Sequence, residues 1–564
     1  MNGGHDDFDL IVIGAGCAGM SAALFGAIAG RHVLLLERSA WVGGTSALSA
    51  GAVWIPNTAF AADAGDSVQN ARRYLDAAIG ERSPSALRER FLALGPEAVR
   101  CLEAHSDVRL RAFAYHPDYL SDLPGSTRHG RVLECLPFDG RRLGAAFALV
   151  RPPIPEFTVL GGMMVDRIDI GHLLRLSRSA RSFAHGARLL LRYARDRLTH
   201  PRGTRLVLGN ALIGRLLASL LARNVPILTG ARTDSLLARD GRITGVTVTH
   251  DGATREFTAR DGVILAGGGF GDDAALRAQL IPTVVRYSPR AGTSTGELQR
   301  LAMASGARLG TRSGSAACWA PVSVRHRRDG TAAVFPHFVF DRAKPGTVVV
   351  DATGRRFVDE STSYHLFGER MLAHAAERGG EAVAFLIADR RALVAYGLGM
   401  IRPGGRGLQR FVRDGYLVAA STVPALAHAL AIDATTLEST VSRLNGFAAT
   451  GIDADFGRGT NAYQRNLGDP AFAPNPTLGP IRDAPFYAIR LYPGDIAASV
   501  GLVTDADARV LRGDAPIPGL FAIGNEMQSM MGDAYPGPGI NLGPAIVFAY
   551  AAVQAATTPG KETP

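Results

Sequence analysis

The chain has 564 residues, of which 47% are hydrophobic and 20% are charged, and its formal net charge is +10. A chain of this length is too long to fold around one hydrophobic core, so two domains are expected. The composition excludes a disordered or fibrous chain. The positive charge comes almost entirely from arginine and no nucleic-acid-binding motif accompanies it, so nucleic acid is not an expected partner.

The cysteines and the start of the chain further limit the kind of protein and the location that are expected. Cys17, Cys101, Cys135 and Cys318 lie far apart and form no C-x-x-C pair, so neither a zinc site nor a disulfide framework is expected. The opening residues MNGGHDDFD lack the apolar segment of a secretory signal, which favours a cytoplasmic location. Two uncharged stretches, 10–30 and 540–560, are dense in glycine, alanine or proline and do not predict membrane spans.

The first predicted unit is a strand, a glycine turn and a helix. The apolar run Leu10–Ile13 is typical of a buried parallel strand, and a G-x-G-x-x-G pattern follows it directly. The glycines allow a tight turn, a close approach of backbone to a pyrophosphate, and packing of the helix on the strand. Because the helix N-terminus offers free N–H groups to phosphates, this unit predicts a dinucleotide site. Its candidate residues are Gly14, Ala15, Gly16, Ala18 and Gly19.

A second strand, predicted at His32–Leu36, leads to an acidic residue and a second glycine-rich loop. Glu37 stands where a carboxylate accepts hydrogen bonds from the ribose hydroxyls of a dinucleotide. The following stretch, RSAWVGGTSALSAGAVW, is rich in small residues whose backbone and hydroxyl groups can reach a flavin diphosphate and ring. This loop indicates FAD rather than NAD. The residues expected to bind it are Arg38, Gly43, Gly44, Thr45, Ser46, Ala50 and Gly51.

From these motifs the chain resembles the flavoprotein superfamily of fumarate reductases, succinate dehydrogenases and 3-ketosteroid dehydrogenases. Two later segments agree: DGVILAGGGFG, which contains Gly267, and GLFAIGNE, which contains Gly524 and Asn525. The resemblance implies bound FAD and an α/β fold. A Rossmann-like FAD-binding domain is expected at 1–324 and 497–564, with an α+β catalytic domain inserted at 325–496.

One segment, at about 165–205, departs from the family pattern. It is rich in arginine and leucine at near-helical spacing, which predicts helices. These helices are interpreted either as a solvated excursion packed on the FAD-binding domain or as a basic amphipathic surface that contacts a membrane. Peripheral membrane contact is therefore a hypothesis for this insertion.

The late motif GDAYPGPGINLGPA separates the branches of the superfamily. It contains no arginine to bind a dicarboxylate, which argues against a fumarate-reductase-like enzyme. It does match the Tyr-x-Gly-x-Gly motif of 3-ketosteroid Δ1-dehydrogenases. By that resemblance, the Tyr535 hydroxyl and the Gly539 N–H bind the steroid C3 carbonyl and stabilise the enolate that forms when C2 loses a proton. Asn541 and Leu542 open a helix whose positive end can face the flavin.

Two further tyrosines match substrate-side motifs of the same family. Tyr364 follows RRFVDESTS and is expected to be the base that takes the C2 proton. In the loop AYHPDYLSDL, Tyr119 is the preferred assistant to that base and Tyr115 is the alternative. A phenol is a weak base at neutral pH, so the proton must be relayed or the phenol pKa lowered.

The predicted function is FAD-dependent 1,2-dehydrogenation of a 3-ketosteroid, a small hydrophobic substrate, with electrons passed to an unidentified acceptor. The alternatives are a 3-ketosteroid Δ4-(5α)-dehydrogenase, a dehydrogenase of another cyclic ketone, and a fumarate-reductase-like enoate reductase. The same motifs serve the first two alternatives equally well.

Overall fold

A computed structural model describes residues 7–327, 329–338 and 341–558, so the first six residues, which belong to the predicted non-secretory start, lie outside the described part. The described strands, in chain order, are β1 (Asp7–Ile13), β2 (Val33–Glu37), β3 (Ala52–Trp54), β4 (Leu110–Ala112), β5 (Val132–Cys135), β6 (Phe138–Asp139), β7 (Arg205–Leu206), β8 (Ile227–Thr229), β9 (Arg232–Arg239), β10 (Arg242–His250), β11 (Ala253–Leu265), β12 (Ala317–His326), β13 (Ala332–Pro336), β14 (Thr347–Asp351), β15 (Ala384–Asp389), β16 (Val418–Ala420), β17 (Phe486–Ala498), β18 (Arg509–Arg512) and β19 (Ala515–Ala522).

The α-helices described in the same residues are α1 (Cys17–Ile28), α2 (Gly44–Leu48), α3 (Val68–Ile79), α4 (Ser85–His105), α5 (Arg167–Leu173), α6 (Ala180–Asp196), α7 (Leu208–Leu221), α8 (Ala274–Leu280), α9 (Glu297–Ala304), α10 (Tyr364–Arg378), α11 (Arg390–Tyr396), α12 (Leu408–Arg413), α13 (Val423–Leu430), α14 (Ala434–Thr450), α15 (Ala462–Leu467) and α16 (Leu542–Thr557).

The larger sheet joins the two ends of the chain. Its strands run in the order β18, β19, β11, β1, β2, β8, with β10 and β9 extending from β11. The pairs of β1 with β2, β1 with β11, β11 with β19 and β2 with β8 are parallel, so these strands end at one edge. Strand β1 is longer than predicted and β2 is shifted by one residue, which places Glu37 at the end of β2.

Helices α1 and α16 explain the two long uncharged stretches. They contact each other, and α1 is buried from Cys17 to Gly26, because it lies between the sheet, α7 and α16. A helix covered on all sides is apolar on all sides. No helix within the described ranges combines the length and apolarity that crossing a bilayer requires.

The second sheet lies in the middle of the chain and is antiparallel. Its order is β13, β12, β17, β15, β14, with β16 paired to β17. Helices α10, α11 and α13 pack against it. The predicted α/β fold, with a Rossmann-like part and an inserted α+β part, is confirmed. Strands β12 and β17 extend past the expected boundaries at 325 and 496, and the domain limits themselves stay a prediction.

The segment at 165–205 is helical in the structure. Helix α5 begins with a capping box in which Asp166 accepts from the Asp169 N–H at 2.9 Å. Helix α6 buries Ser182, Gly186, Leu189 and Tyr193 on one face. The basic residues of the segment mostly lie on the other side, toward solvent.

Candidate active site

The first glycine turn is closed as tightly as its sequence pattern predicts. Gly14 has φ of +108°, and a Cβ added there would lie 2.3 Å from the Ala266 carbonyl oxygen. A Cβ on Gly19 would lie only 1.8 Å from the Gly14 oxygen, so α1 packs directly on the turn. Gly16 caps α1 without a side-chain hydrogen bond, which leaves the helix N-terminus available to an anion.

Glu37 lies beside this turn and is almost fully buried. Its Oε2 accepts from the Ala15 N–H at 2.8 Å and its Oε1 from the Ser39 N–H at 2.9 Å. The Arg38 side chain instead pairs with Glu297 at 3.2 Å. The carboxylate is thus fixed at the end of β2, whereas the neighbouring guanidinium is drawn toward α9.

The second glycine-rich loop meets the first. The Cys17 N–H, at the start of α1, donates to Ser46 Oγ at 3.2 Å, and Thr45 Oγ1 accepts from the Ala291 N–H at 3.2 Å. Backbone φ angles are positive at Gly43, Gly44 and Gly51. Gly51 has no room for a side chain, since a Cβ there would lie 2.5 Å from the Gly209 nitrogen. Ala50 lies in this loop, just before β3.

The late glycine motif reaches the same place from β19. A Cβ on Gly524 would lie 2.9 Å from the Ala18 Cβ, and the Asn525 carbonyl lies close to Gly269. Sequence reasoning missed the next residue, Glu526, which is fully buried. Its Oε2 accepts from the Gly269 N–H at 2.9 Å, whereas its Oε1 has no hydrogen-bond partner among the described residues. Burial raises the pKa of Glu526 to about 7, although the N–H groups of residues 267–269 oppose that rise.

Four buried tyrosines form a second cluster. Ring centroids are 5.5 Å apart for Tyr119 and Tyr364, 5.1 Å for Tyr364 and Tyr535, and 4.5 Å for Tyr119 and Tyr463. Each side chain is less than 8% exposed. The structure therefore brings all three predicted tyrosines together and adds Tyr463 of α15. No family motif in the sequence pointed to Tyr463; only its position beside Tyr119 singles it out.

Tyr115, the alternative to Tyr119 in the same loop, lies outside the tyrosine cluster. Tyr115 is 43% exposed and contacts none of the cluster rings. Tyr119 is held inward because its N–H donates to the Pro536 oxygen at 2.9 Å, which ties its loop to the late motif. The two tyrosines thus differ in placement, and the catalytic role of Tyr119 stays a prediction.

The tyrosine pKa values are all raised by burial, which disfavours the phenolate. The pKa values of Tyr119 and Tyr364 are raised well above the ordinary value for tyrosine. For Tyr463 the charge of Arg342 opposes the rise in pKa, and for Tyr535 hydrogen bonds from Tyr364 and Asn541 do the same. The net effect at each of the four tyrosines is a raised pKa, so the cluster holds neutral phenols near physiological pH rather than a phenol of lowered pKa.

The loop that carries Tyr535 is pressed against β3. Gly539 has φ of +92°, and a Cβ there would lie 2.4 Å from the Ala52 oxygen. The Gly539 oxygen accepts from the Trp54 N–H at 3.2 Å, but within the described ranges its own N–H donates to no group. Asn541 Nδ2 donates to the Tyr535 hydroxyl at 3.3 Å, and Leu542 begins α16 as predicted. Two polar donors, one phenolic and one amide, therefore belong to a single rigid loop.

His365 supports Tyr535 rather than its chain neighbour Tyr364. Its ring stacks on the Tyr535 ring at 5.5 Å with an interplanar angle of 29°. The Trp319 N–H donates to His365 Nδ1 at 3.1 Å, which places the imidazole proton on Nε2, 3.3 Å from Glu369. Sequence adjacency alone could not have shown this contact.

Comparisons with known proteins identify the family. The family model described as "FAD binding domain" matches residues 9–542. The chain is 36% identical to 4-oxocyclohex-2-ene-1-carboxylate 5-dehydrogenase of Sinomonas cyclohexanicum, over 96% of this chain and 92% of that protein. It is 34% identical to 3-oxosteroid 1-dehydrogenase of Mycolicibacterium smegmatis, over 97% and 96% of the two chains.

A solved structure agrees with the sequence relatives. The crystal structure of 3-ketosteroid Δ1-dehydrogenase from Sterolibacterium denitrificans, in complex with 1,4-androstadiene-3,17-dione, matches with a TM-score of 0.90 and 34% identity. That match covers 98% of this chain and all of the other. The predicted resemblance and the predicted FAD cofactor are confirmed. The chain belongs to the 3-ketosteroid Δ1-dehydrogenase family of FAD-binding flavoproteins.

Proposed function

We propose that the protein is an FAD-dependent dehydrogenase that introduces the C1–C2 double bond of a 3-ketosteroid. The observation that carries this proposal is the loop bearing Tyr535 and Gly539, whose hydroxyl and unengaged N–H belong to the same buried wall as Tyr119 and Tyr364. The names and full-length similarity of the 3-oxosteroid 1-dehydrogenases support the same activity.

The residues around the glycine turns fit FAD. The N-terminus of α1, whose first N–H contacts Ser46 Oγ, would take the pyrophosphate, and Glu37 would take a ribose. In the late motif, Gly524 lies against Ala18 and the Asn525 carbonyl lies against Gly269, and neither glycine has room for a side chain. The unpartnered Oε1 of Glu526 is a further polar group directed into this region. FAD, when bound, supplies the acceptor for the hydride that leaves C1.

The chain's own residues handle the carbonyl and the proton. Tyr535 and the Gly539 N–H donate to the C3 oxygen and stabilise the charge that develops there. Tyr364 takes the C2 proton as its own hydroxyl proton passes to Tyr119, and Tyr119 in turn releases its hydroxyl proton toward solvent, so that both phenols end neutral. Because every ring of the cluster is buried, water is excluded and each hydrogen bond gains strength in the low-dielectric surroundings.

The cluster suits a neutral ketone better than a carboxylate. One relative acts, by its name, on an oxocyclohexene carboxylate, so a small acidic ketone is the second candidate substrate. Among the described residues, the arginine that faces the tyrosines, Arg342, already donates to four backbone carbonyl oxygens. It is therefore not free to pair with a substrate carboxylate, and the steroid is the first choice.

The test uses the purified, FAD-loaded protein, an artificial electron acceptor and three ketones. These are androst-4-ene-3,17-dione, 5α-androstane-3,17-dione and 4-oxocyclohexanecarboxylate. We expect acceptor reduction with both steroids and a C1–C2 double bond in each product, identified by mass spectrometry and NMR. A 4-ene product from the saturated steroid would assign Δ4 chemistry instead. Turnover of the carboxylate alone would assign the second candidate, and colourless protein would contradict every FAD mechanism.

We further propose that the insertion binds the surface of an anionic membrane. The insertion holds a concentration of exposed apolar side chains: Ile168, Leu174, Phe183, Leu190, Leu191 and Leu198. Exposed arginines accompany them and pair with no described carboxylate: Arg175, Arg178, Arg181, Arg188 and Arg195. The insertion's acids Asp166, Asp169 and Asp196 are buried and hydrogen-bonded, so its outer face is positive and apolar. Such a face matches an anionic lipid surface.

Flotation with phosphatidylglycerol vesicles tests the membrane proposal. The wild-type protein is expected to float with these vesicles and to stay behind with phosphatidylcholine vesicles. A Leu191→Ser/Leu198→Ser variant should lose flotation and keep its activity. The matched control is Ile452→Ser, which removes a 69% exposed apolar side chain outside the insertion and should change nothing. Equal flotation of all three proteins, or none by the wild type, would contradict the proposal.

A further inference from the structure

A third glycine turn, residues 266–271 at the end of β11, holds a carboxyl group of the protein itself. Gly268 and Gly269 have φ of +92° and +83°, a conformation that turns successive backbone N–H groups toward one side. The Gly269 N–H donates to Glu526 Oε2 at 2.9 Å, and the N–H groups of Gly267 and Gly268 also favour the ionised form of that carboxyl. A concave set of N–H groups is a usual binding site for anions, and here a side chain fills it.

The filled turn lies against the first glycine turn, which is expected to bind the pyrophosphate of FAD. A Cβ on Gly14 would lie 2.9 Å from the Gly267 nitrogen, and a Cβ on Gly524 would lie 2.9 Å from the Ala18 Cβ. The two turns and the late motif therefore meet at one edge of the sheet, with Glu526 at their junction. A diphosphate bound at the N-terminus of α1 brings negative charge to this junction.

No cation balances this carboxyl group. Glu526 is 1% exposed, and among the described residues it forms no ion pair. Helices α1 and α16 and strand β19 carry no charged side chain. The acidic side chains of the other packed elements, α9 and β17, and the second cation of α9 have partners elsewhere: Glu297 with Arg38, Asp495 with Arg277 and Arg290, and Arg300 with Asp273. The buried Cys17 thiol has its pKa raised to about 12 and is uncharged near neutral pH.

The Glu526 carboxyl can take up a proton without a change in the turn. Its Oε2 accepts the Gly269 hydrogen bond, whereas its Oε1 has no hydrogen-bond partner among the described residues. A proton on Oε1 therefore leaves the Gly269 bond intact and creates an O–H donor. Burial favours this neutral form and raises the pKa of Glu526 to about 7, so both forms occur near neutral pH.

We propose that Glu526 takes up one proton from solvent when FAD binds, so that the neutral carboxylic acid holds the cofactor and the carboxylate repels it. This coupling rests on the FAD cofactor of the proposed function, but it does not depend on which ketone is oxidised. The negative charge of the pyrophosphate disfavours a second negative charge beside it, so bound FAD raises the pKa of Glu526 further. The affinity for FAD must then fall as the pH rises above the pKa of the FAD-free protein.

Release of FAD on dilution of the FAD-loaded protein tests the proposal, because free FAD is fluorescent and its equilibrium amount gives the Kd. Between about pH 7 and 8.5 the wild-type Kd should rise by up to about tenfold for each pH unit. Glu526→Gln, a neutral variant of the same shape, should bind FAD with a Kd that does not depend on pH. The matched control is Asp273→Asn, at a carboxyl that is 8% exposed and accepts from the Leu276 N–H at 2.9 Å; it should keep the wild-type pH dependence. A wild-type Kd that is constant or falls with pH, or equal pH dependence in Glu526→Gln, would overturn the proposal.

Infrared difference spectroscopy of the FAD-loaded protein reads the protonation state directly. A neutral carboxylic acid has a carbonyl stretch that a carboxylate lacks, so the spectrum of the wild type minus that of Glu526→Gln should contain this band at about pH 8. Its absence, with carboxylate bands in its place, would overturn the proposal. Neither measurement uses a ketone. A protein that shows the band and the pH-dependent Kd but reduces no acceptor with steroids would contradict the proposed function and leave the role of Glu526 in place.

Discussion

Tyr535→Phe removes one of the two donors expected at the C3 oxygen of the ketone. The ring contacts with Tyr364, Tyr119 and His365 survive this change, because they involve the aromatic faces rather than the hydroxyl. The lost contact to Asn541 is long, at 3.3 Å, so the free energy of unfolding should fall by about 0.5–1.5 kcal/mol at most. Loss of one preorganised donor costs about 10²–10³ in rate, or about 2.7–4 kcal/mol in the transition state, and the Gly539 N–H limits the loss to that range.

Anaerobic stopped-flow reduction of the flavin by androst-4-ene-3,17-dione measures this prediction. Tyr535→Phe should bind FAD normally, show a lower limiting rate of flavin bleaching and leave the thermal midpoint nearly unchanged. The matched control is Tyr115→Phe, which alters an exposed tyrosine outside the cluster and should behave as wild type. A limiting rate for Tyr535→Phe close to that of the control would refute the two-donor reasoning.

Three further predictions concern the cofactor turn and the buried charges. Burial raises the pKa of Glu526 from 4.5 to about 7, so between these pH values the folded state binds a proton that the unfolded state has lost. The free energy of unfolding should therefore fall by about 1.4 kcal/mol for each unit that the pH rises through this range. Glu526→Gln should remove this pH dependence. Gly19→Ala should abolish FAD retention, because its Cβ would lie 1.8 Å from a backbone oxygen of the first turn. Arg356→Met should cost about 3–5 kcal/mol of unfolding free energy, since it leaves the buried carboxylate of Asp453 without its ion-pair partner and that of Glu360 with Arg458 alone.

Each of these predictions has a direct measurement and a contrary outcome. The pH dependence of stability is measured by thermal unfolding between pH 4.5 and 7. Identical slopes of stability against pH in the wild type and in Glu526→Gln would contradict the first prediction. FAD retention by Gly19→Ala is measured as flavin absorbance after gel filtration. The control is Gly171→Ala, at a helical position where an added Cβ meets no atom within 4 Å. The free energy of unfolding of Arg356→Met is measured by urea denaturation. A decrease no greater than that of Arg72→Met, which removes an exposed ion-pair partner, would contradict the prediction.

Some features of the site needed no tertiary information because each depends on neighbours along the chain. The strand–turn–helix unit around Gly14, Gly16 and Gly19 is local and predicted a dinucleotide site, and the glycine-rich loop after Glu37 indicated FAD, which the family match confirms. The late motif likewise predicted a helix starting at Leu542. The family resemblance rests on such short motifs, and the comparisons confirm it along nearly the whole chain.

The grouping of side chains around the tyrosines was decided only by the tertiary structure. Tyr119 lies in a loop and Tyr463 in helix α15, far apart along the chain, and no periodicity links them. His365 stacks on Tyr535 although it adjoins Tyr364, because successive residues of a helix point in different directions. The sequence by itself determined the cofactor and the family through local backbone requirements. Burial and contacts between distant segments, as at Glu526 beside Gly269, are properties of packing and exist only once the chain has folded.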